Sequence, residues 1–239
     1  MANSTITLLQ SAEWCKKFVY NRQLSLGDFK EPLLTSANII KQTILGLPFS
    51  WRWNRQTVLF TATIGQQDYT QAVNCGWIEV ANVQDIGASP AKWYEMENHQ
   101  VLGLDTAKAR PTRIAAQIDD GSGNITFRLM PIPDKAYPIS VTVQNSATLF
   151  TSLNDTWAPL PDYFSYIYQV GLLSLVFMFA DDPRFATMSQ KFVAHLLGAA
   201  QGLKDTDRSI FLNSWAAITG QPVLNQMNLQ QGVQSRGIL

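Results

Sequence analysis

With 239 residues the chain is long enough for one large domain or two small ones, and at 46% apolar residues it can bury a sizeable core. Only 15% of residues are charged and the formal net charge is zero, so much of the surface is neutral and reads as subunit interface. No basic run and no interleaved Arg/aromatic pattern occurs, which excludes sequence-specific reading of DNA.

The N-terminus, MANSTITLLQ, lacks the basic and apolar regions of a secretion signal. Two helices open the chain. Ile6, Leu9, Trp14 and Phe18 form a rough stripe, interrupted by NRQLSLGD. The second helix is predicted to start at an Asp28 cap, to accept Pro32 in its first turn and to bury Leu33, Ala37, Ile40 and Ile44, with Gly46 and Pro48 ending it. Residues 1–60 carry seven Lys/Arg and three Asp/Glu, while residues 61–160 carry six and ten, so a positive stretch precedes a negative one. Cys15 and Cys75 lie in different segments without a motif, as buried free thiols in a reducing compartment.

From Phe49 the period changes to two. Val58, Phe60, Ala62 and Ile64 alternate with polar or smaller neighbours up to a turn at Gly65–Asp68. Ile114, Ala116 and Ile118 alternate into a hairpin loop, Asp119–Asn124, and Ile125, Phe127 and Leu129 alternate after it. Ile139, Val141 and Val143 alternate with Ser140, Thr142 and Gln144. Short strands at this spacing predict an antiparallel sandwich or barrel-like domain over residues 49–160.

Helices return at Pro161. Tyr163–Ala180 has no charge, but its acidic flanks and its tyrosines favour burial in protein over a membrane. Asp182-Pro183 caps the next helix, which presents Phe185, Met188, Phe192, Leu196, Ala199 and Leu203. A last helix from Asp205 to Thr219 presents Phe211, Trp215 and Ile218 and stops at Gly220. The expected class is α+β: N-terminal helices (1–48) pack on C-terminal helices (161–220), with the β domain inserted between them and residues 221–239 as an extended arm. The arm, QPVLNQMNLQQGVQSRGIL, holds five glutamines, two asparagines and a single charge, Arg236. Its apolar residues, Val223, Leu224, Met227, Leu229, Val233, Ile238 and Leu239, are spaced as in a segment lying extended on another protein.

Catalytic patterns are absent. His195 sits on a helix face, and His99 has only Glu95 and Glu97 near it, a thin basis for a metal site. No Cys/His spacing fits zinc, Gly121-Ser122-Gly123 lacks the frame of a nucleophile elbow, and no phosphate or dinucleotide loop occurs. Asp119-Asp120 and Asp181-Asp182 read as a turn and a helix cap. The expectation is a protein without enzymatic activity, metal or cofactor. Trp51, Trp53, Trp77 and Trp93 read as core or interface aromatics; the alternative is a carbohydrate-binding platform of Trp51, Trp53 and Trp93 on a surface or tail protein. A secreted or periplasmic hydrolase, a third option, is disfavoured by the missing catalytic set.

Two N-terminal helices lead into LPFSWRWNRQTVLFTATIGQQDYT. Arg110-Pro111-Thr112-Arg113, Phe127 to Asp134 (FRLMPIPD), Tyr137 with ISVTVQ, Trp157 to Tyr163 (WAPLPDY) and FADDPRF follow. In this order the chain resembles the head-to-tail adaptor proteins of tailed bacteriophages, especially the tail-tubular type of short-tailed phages, over residues 30–200. The resemblance implies a structural virion protein of the neck or tail, assembled in the host cytoplasm. It implies a homo-oligomeric ring, typically of twelve copies, joining the portal to a nozzle or other tail proteins. It further implies that DNA passes through the lumen at genome ejection, and that the arm (Leu224, Met227, Leu229, Val233, Ile238, Leu239) grips the portal. No catalytic residue is implied.

Overall fold

The computed structural model describes residues 4–19, 32–87, 89–119, 121–200 and 202–220. The Asp28 cap and the arm lie outside these residues. The fold is α+β, with five helices and two four-stranded sheets among the described residues. It divides into two compact units, one within Met1–Leu8 and Lys41–Tyr163, the other within Leu9–Ile40 and Phe164–Leu239.

The first unit is a β-sandwich. One sheet has the order β1-β8-β3-β4, from Arg55–Ala62, Tyr137–Asn145, Cys75–Asp85 and Lys92–Glu95. The other has the order β2-β7-β6-β5, from Asp68–Ala72, Asn124–Met130, Arg113–Asp119 and Glu97–His99. Ile139, Val141 and Val143 on β8 and Ile125, Phe127 and Leu129 on β7 meet in one core with Ala62, Tyr69, Ile78, Val83 and Ile114. The alternation read in both strands is therefore the inward face of each sheet. The turn after β1 carries the chain from one sheet to the other: Gly65 adopts φ 78°, and the Tyr69 hydroxyl caps the Thr63 N–H and the Gln66 carbonyl at 3.0 and 2.7 Å.

Three details depart from the sequence reading. Ile64 falls in that turn and is exposed, because the strand ends at Ala62. Ile118 is 55% exposed although it continues the Ile114/Ala116 alternation. A register shift between Ala116 and Ile118 sets Ala116 opposite Phe127 but Ile118 opposite Thr126, so the extra residue, Gln117, turns Ile118 to the outer face. Finally, the named strands pair antiparallel except β5–β6, which run parallel, Glu97 opposite Arg113, and an isolated bridge between Lys108 and Ile132 is also parallel. Residues 100–112 make the crossover without a helix, anchored by the Asp105 carboxylate on the Thr106 and Ala107 N–H groups.

The hairpin read at residues 119–124 is present, with Asp119 accepting the Gly121 N–H at 2.8 Å and with Gly121 and Gly123 at positive φ. An N-terminal segment joins this unit: Ser4 and Thr5 hydroxyls donate to Asp162 at 2.8 and 3.0 Å, and the Leu8 N–H donates to the Asp155 carbonyl.

The second unit is helical, though Leu8 at the start of its first helix and Lys41–Leu45 at the end of its second fall in the first unit. In α1, Leu8–Lys16, the buried side is Leu8, Ser11, Ala12 and Cys15, running on to Val19, instead of the expected stripe of Ile6, Leu9, Trp14 and Phe18. Phe18 is exposed and Trp14 only half-buried. After Leu8 the interior side chains of the helix are small, so bulk misleads as a guide to its buried face. α2, Leu33–Leu45, buries Leu33, Ala37, Ile40 and Ile44 as the spacing predicts. α3, Ser165–Phe179, is apolar on all sides, and Gly171 lets Ile40 and Phe192 come so close that an added Cβ would lie 2.7–2.9 Å from them. The span Asp162–Phe179 is long and apolar enough to cross a membrane by composition, yet over half of it is buried in the protein.

Asp181, with φ 52°, ends α3 in the left-handed conformation, and the Asp182 N–H returns to the Phe177 carbonyl. The Asp182 carboxylate then accepts the Arg184 N–H at 2.9 Å ahead of α4, Phe185–Ala199. α5, Asp205–Thr219, starts with Asp205 and Asp207 in its first turn and closes on Gly220 at φ 66°.

Candidate interaction surfaces

At one end of the first sheet the rings of Phe49, Trp51 and Trp53 stack in a ladder, with centroids 5.8 and 5.6 Å apart. Trp53 lies in a 3-10 turn, Arg52–Asn54, instead of an extended strand, and the turn brings the two indoles into register. Trp51 is 5% exposed and its indole N–H donates to the Ile44 carbonyl at 2.6 Å. The middle ring of the ladder is therefore covered on both faces and offers no open stacking platform.

Gln144, fully buried on β8, organises this end. Its side chain accepts the Trp51 N–H at 3.2 Å and donates to the Trp51 carbonyl and to Glu79. Burial alone would raise the Glu79 pKa, but hydrogen bonds from Arg55, Gln144 and Ser50 hold it below the usual carboxylate range. Arg55 completes the cluster as the ion-pair partner of Glu79. Trp77 sits opposite Gln144 in the register and is half-buried; its indole N–H finds no acceptor among the described residues. Trp93, 49% exposed, lies on β4 at the far edge of the same sheet. Trp51, Trp53 and Trp93 thus do not form one surface.

Several titratable groups have structural partners. The Arg110 guanidinium stacks on Tyr94 at 3.9 Å and sits 3.7 Å from Asp85, which also receives Lys135 at 3.2 Å. Hydrogen bonds from the Gly87 N–H and Lys135 depress the Asp85 pKa. Burial pushes the Cys15 thiol up to about 12 and Cys75 up to about 11, so neither is a thiolate at neutral pH. His195 packs edge-on against Tyr166, and His99 stands 3.5 Å from the exposed Glu97. Among the described residues no three His, Cys, Asp or Glu side chains come together as a metal site.

Surfaces suited to another protein are easier to find. Leu59, 71% exposed, stands on the outer face of edge strand β1. The alternation of Val58, Phe60 and Ala62 already placed Leu59 on the opposite face, and its apolar character there was the signal the sequence reading passed over. Ile210 and Ile218 on α5, and Tyr166 and Phe179 on α3, are exposed apolar groups on helices whose other sides are buried. Leu224, Met227, Leu229, Val233, Ile238 and Leu239, the residues expected to grip a portal, lie outside the described residues.

No curated protein matches the chain. The family model described as SU10 adaptor protein matches residues 37–216. That span contains most of α2, both sheets, α3, α4 and most of α5. It is well over half of the chain, so the protein belongs to the SU10 adaptor protein family of phage head-tail adaptors and is a structural component of the virion.

Proposed function

We propose that this protein forms the ring that joins the portal to the tail, as a structural part without enzymatic activity. The family match over residues 37–216 is the observation that carries this reading. The low charge of the chain and the exposed apolar side chains on α3, α5 and β1 support it, since a subunit with a neighbour on each side needs neutral surface in two places. In this reading the ring holds twelve copies and DNA passes through its lumen without sequence-specific contacts. One face carries the portal and the other a nozzle or further tail proteins, at the virion neck, after assembly in the host cytoplasm.

The C-terminal arm, through Leu224, Met227, Leu229, Val233, Ile238 and Leu239, is the portal anchor. Trp93 and the partly buried Trp53 and Trp77 contribute to contacts between subunits, while Trp51 serves the fold. A carbohydrate platform is less well supported, because Trp51 is buried and Trp93 stands on the other edge of the sheet. Negative-stain images of the purified protein with portal and tail proteins test the reading. Closed rings seated on the portal are expected, and a protein that stays monomeric at high concentration beside intact portals would refute it.

A further inference from the structure

β1 pairs with β8 at all eight of its residues, Arg55–Ala62, and with no other strand among the described residues. Alternate N–H and C=O groups of an edge strand point away from its partner, a row that only another extended chain satisfies along its length. Among the described residues, no loop gives this row a backbone hydrogen bond. The other three edges are shorter and charged. β2 has five residues and begins at Asp68, which is paired with Arg128. β4 has four, with Lys92 and Glu95, and β5 has three, with Glu97. After Arg55, β1 contains no charge, no proline and no bulge. Gln56, Thr57, Leu59 and Thr61 are exposed, and Val58 and Phe60 lie only partly buried at the rim of the core.

The order of side chains along β1 says what this edge suits. Thr57-Val58-Leu59-Phe60-Thr61 runs hydroxyl, apolar, apolar, apolar, hydroxyl, the same pattern in either direction. Two copies of β1 laid antiparallel about a two-fold axis at Leu59 would set the two Leu59 side chains opposite each other. Each Val58 would then face a Phe60, and each Thr57 a Thr61. The faces also agree in this register. Thr57, Leu59 and Thr61 would share the outer face, while Val58 and Phe60 would carry the apolar rim of one core into the next. Apolar pairs and Thr–Thr pairs across strands are those that stabilise an antiparallel sheet. No like charges meet, because Arg55 lies beyond the paired run and is held by Glu79.

We propose that β1 is the contact of a two-fold dimer of this chain before virion assembly, in which the first sheets of two copies join edge to edge. The inference goes beyond the ring reading and does not rest on it. A two-fold contact uses the same edge on both copies and closes at two, whereas a ring needs two different surfaces on every subunit. A contact confined to Gln56–Ala62 is far smaller than the interface of a stable dimer, so the association is weak and depends on concentration.

The test uses the purified full chain with portal absent. Sedimentation velocity over a roughly hundredfold range of concentration is expected to show monomer giving way to dimer. The outward amides of β1 are expected to exchange about tenfold more slowly at the highest concentration than at the lowest, while the core amides of β8 stay unchanged. Leu59→Lys and Leu59→Glu each set like charges face to face on the axis, and each variant alone should stay monomeric with an unchanged circular dichroism spectrum. Mixing the two variants should restore the dimer, because opposite charges then meet. A chain that stays monomeric throughout overturns the proposal. So does a dimer whose β1 amides exchange as in the monomer, a Leu59→Lys protein that dimerises like wild type, or a mixture that fails to pair. Negative-stain images of the wild-type protein with portal and tail proteins score the ring separately: rings without the dimer sink only the dimer, and the dimer without rings sinks only the ring.

Discussion

Lys41 shows how one residue can oppose the fold that contains it. It is 3% exposed on α2, with its ammonium 4.4 Å above the Phe150 ring and 3.5 Å from the Thr156 carbonyl. Burial lowers its pKa to about 8, with Asp155 only partly opposing the shift. The Asp155 carboxylate is already committed to the Thr151 and Ser152 N–H groups. Because the folded pKa lies below the unfolded value, the folded state binds fewer protons between about pH 8 and the ordinary lysine value of 10.5, and stability rises with pH through that window. Lys41→Met is accordingly expected to stabilise the protein at pH 7 by about 1–3 kcal/mol. That gain should shrink as wild type and variant are compared at increasingly alkaline pH. Urea denaturation of both proteins across this range measures it, and a difference independent of pH would show that the ammonium carries no such penalty.

At the scale of the element, β6 tests whether hydrophobicity or register decides burial. Ile114 and Ile118 are the same residue in the same strand, but the extra residue at Gln117 separates their fates. Ile114→Ala is expected to cost about 2–4 kcal/mol as a core truncation, whereas Ile118→Thr should stay within about 0.5 kcal/mol as a surface change. Equal losses in thermal or urea denaturation would mean that Ile118 is buried and that the shift in register is wrong. Ala115 shows the same strand covered on its second face: it is fully buried against Leu102 and Met130, in a small cluster under the 100–112 crossover. The Gln117 amide donates to the Leu102 carbonyl at 2.6 Å, so the extra residue of the bulge also fastens the crossover.

At the scale of the whole molecule, the α5 helix closes on Gly220, so a cut there is expected to remove residues 221–239 without breaking a described helix or strand. The truncated protein is expected to fold with an unchanged melting temperature and to fail to attach to portal-bearing heads. Burial of Leu224, Met227, Leu229 and Val233 contributes at most about 1.5–3 kcal/mol each. Ordering the backbone opposes that by about 1–2 kcal/mol per residue, so one arm alone binds weakly. In the proposed ring, many arms would bind together through effective concentration. Equal attachment by truncated and intact protein would take the portal contact away from the arm.

The α+β class, the alternation in β7 and β8, the buried stripe of α2 and the ends of α5 were all legible in the sequence. Each depends on interactions within a few residues: a period of two or 3.6, a proline, or a glycine in the left-handed conformation. The buried face of α1 was not legible, because Ser11, Ala12 and Cys15 are small and their burial reflects how closely the surrounding chain approaches. Nor was the turn of Ile118, since a bulge is visible only against the partner strand. The aromatic group read as Trp51, Trp53, Trp77 and Trp93 was divided by the strand order β1-β8-β3-β4, which sends Trp93 to the opposite edge. Gln144 was only a polar position in an alternating strand until the folded sheet surrounded it with Trp51 and Glu79. Local periodicity fixes which residues form each element, whereas pairing between residues some ninety positions apart, as between Trp51 and Gln144, decides which surface each element leaves open.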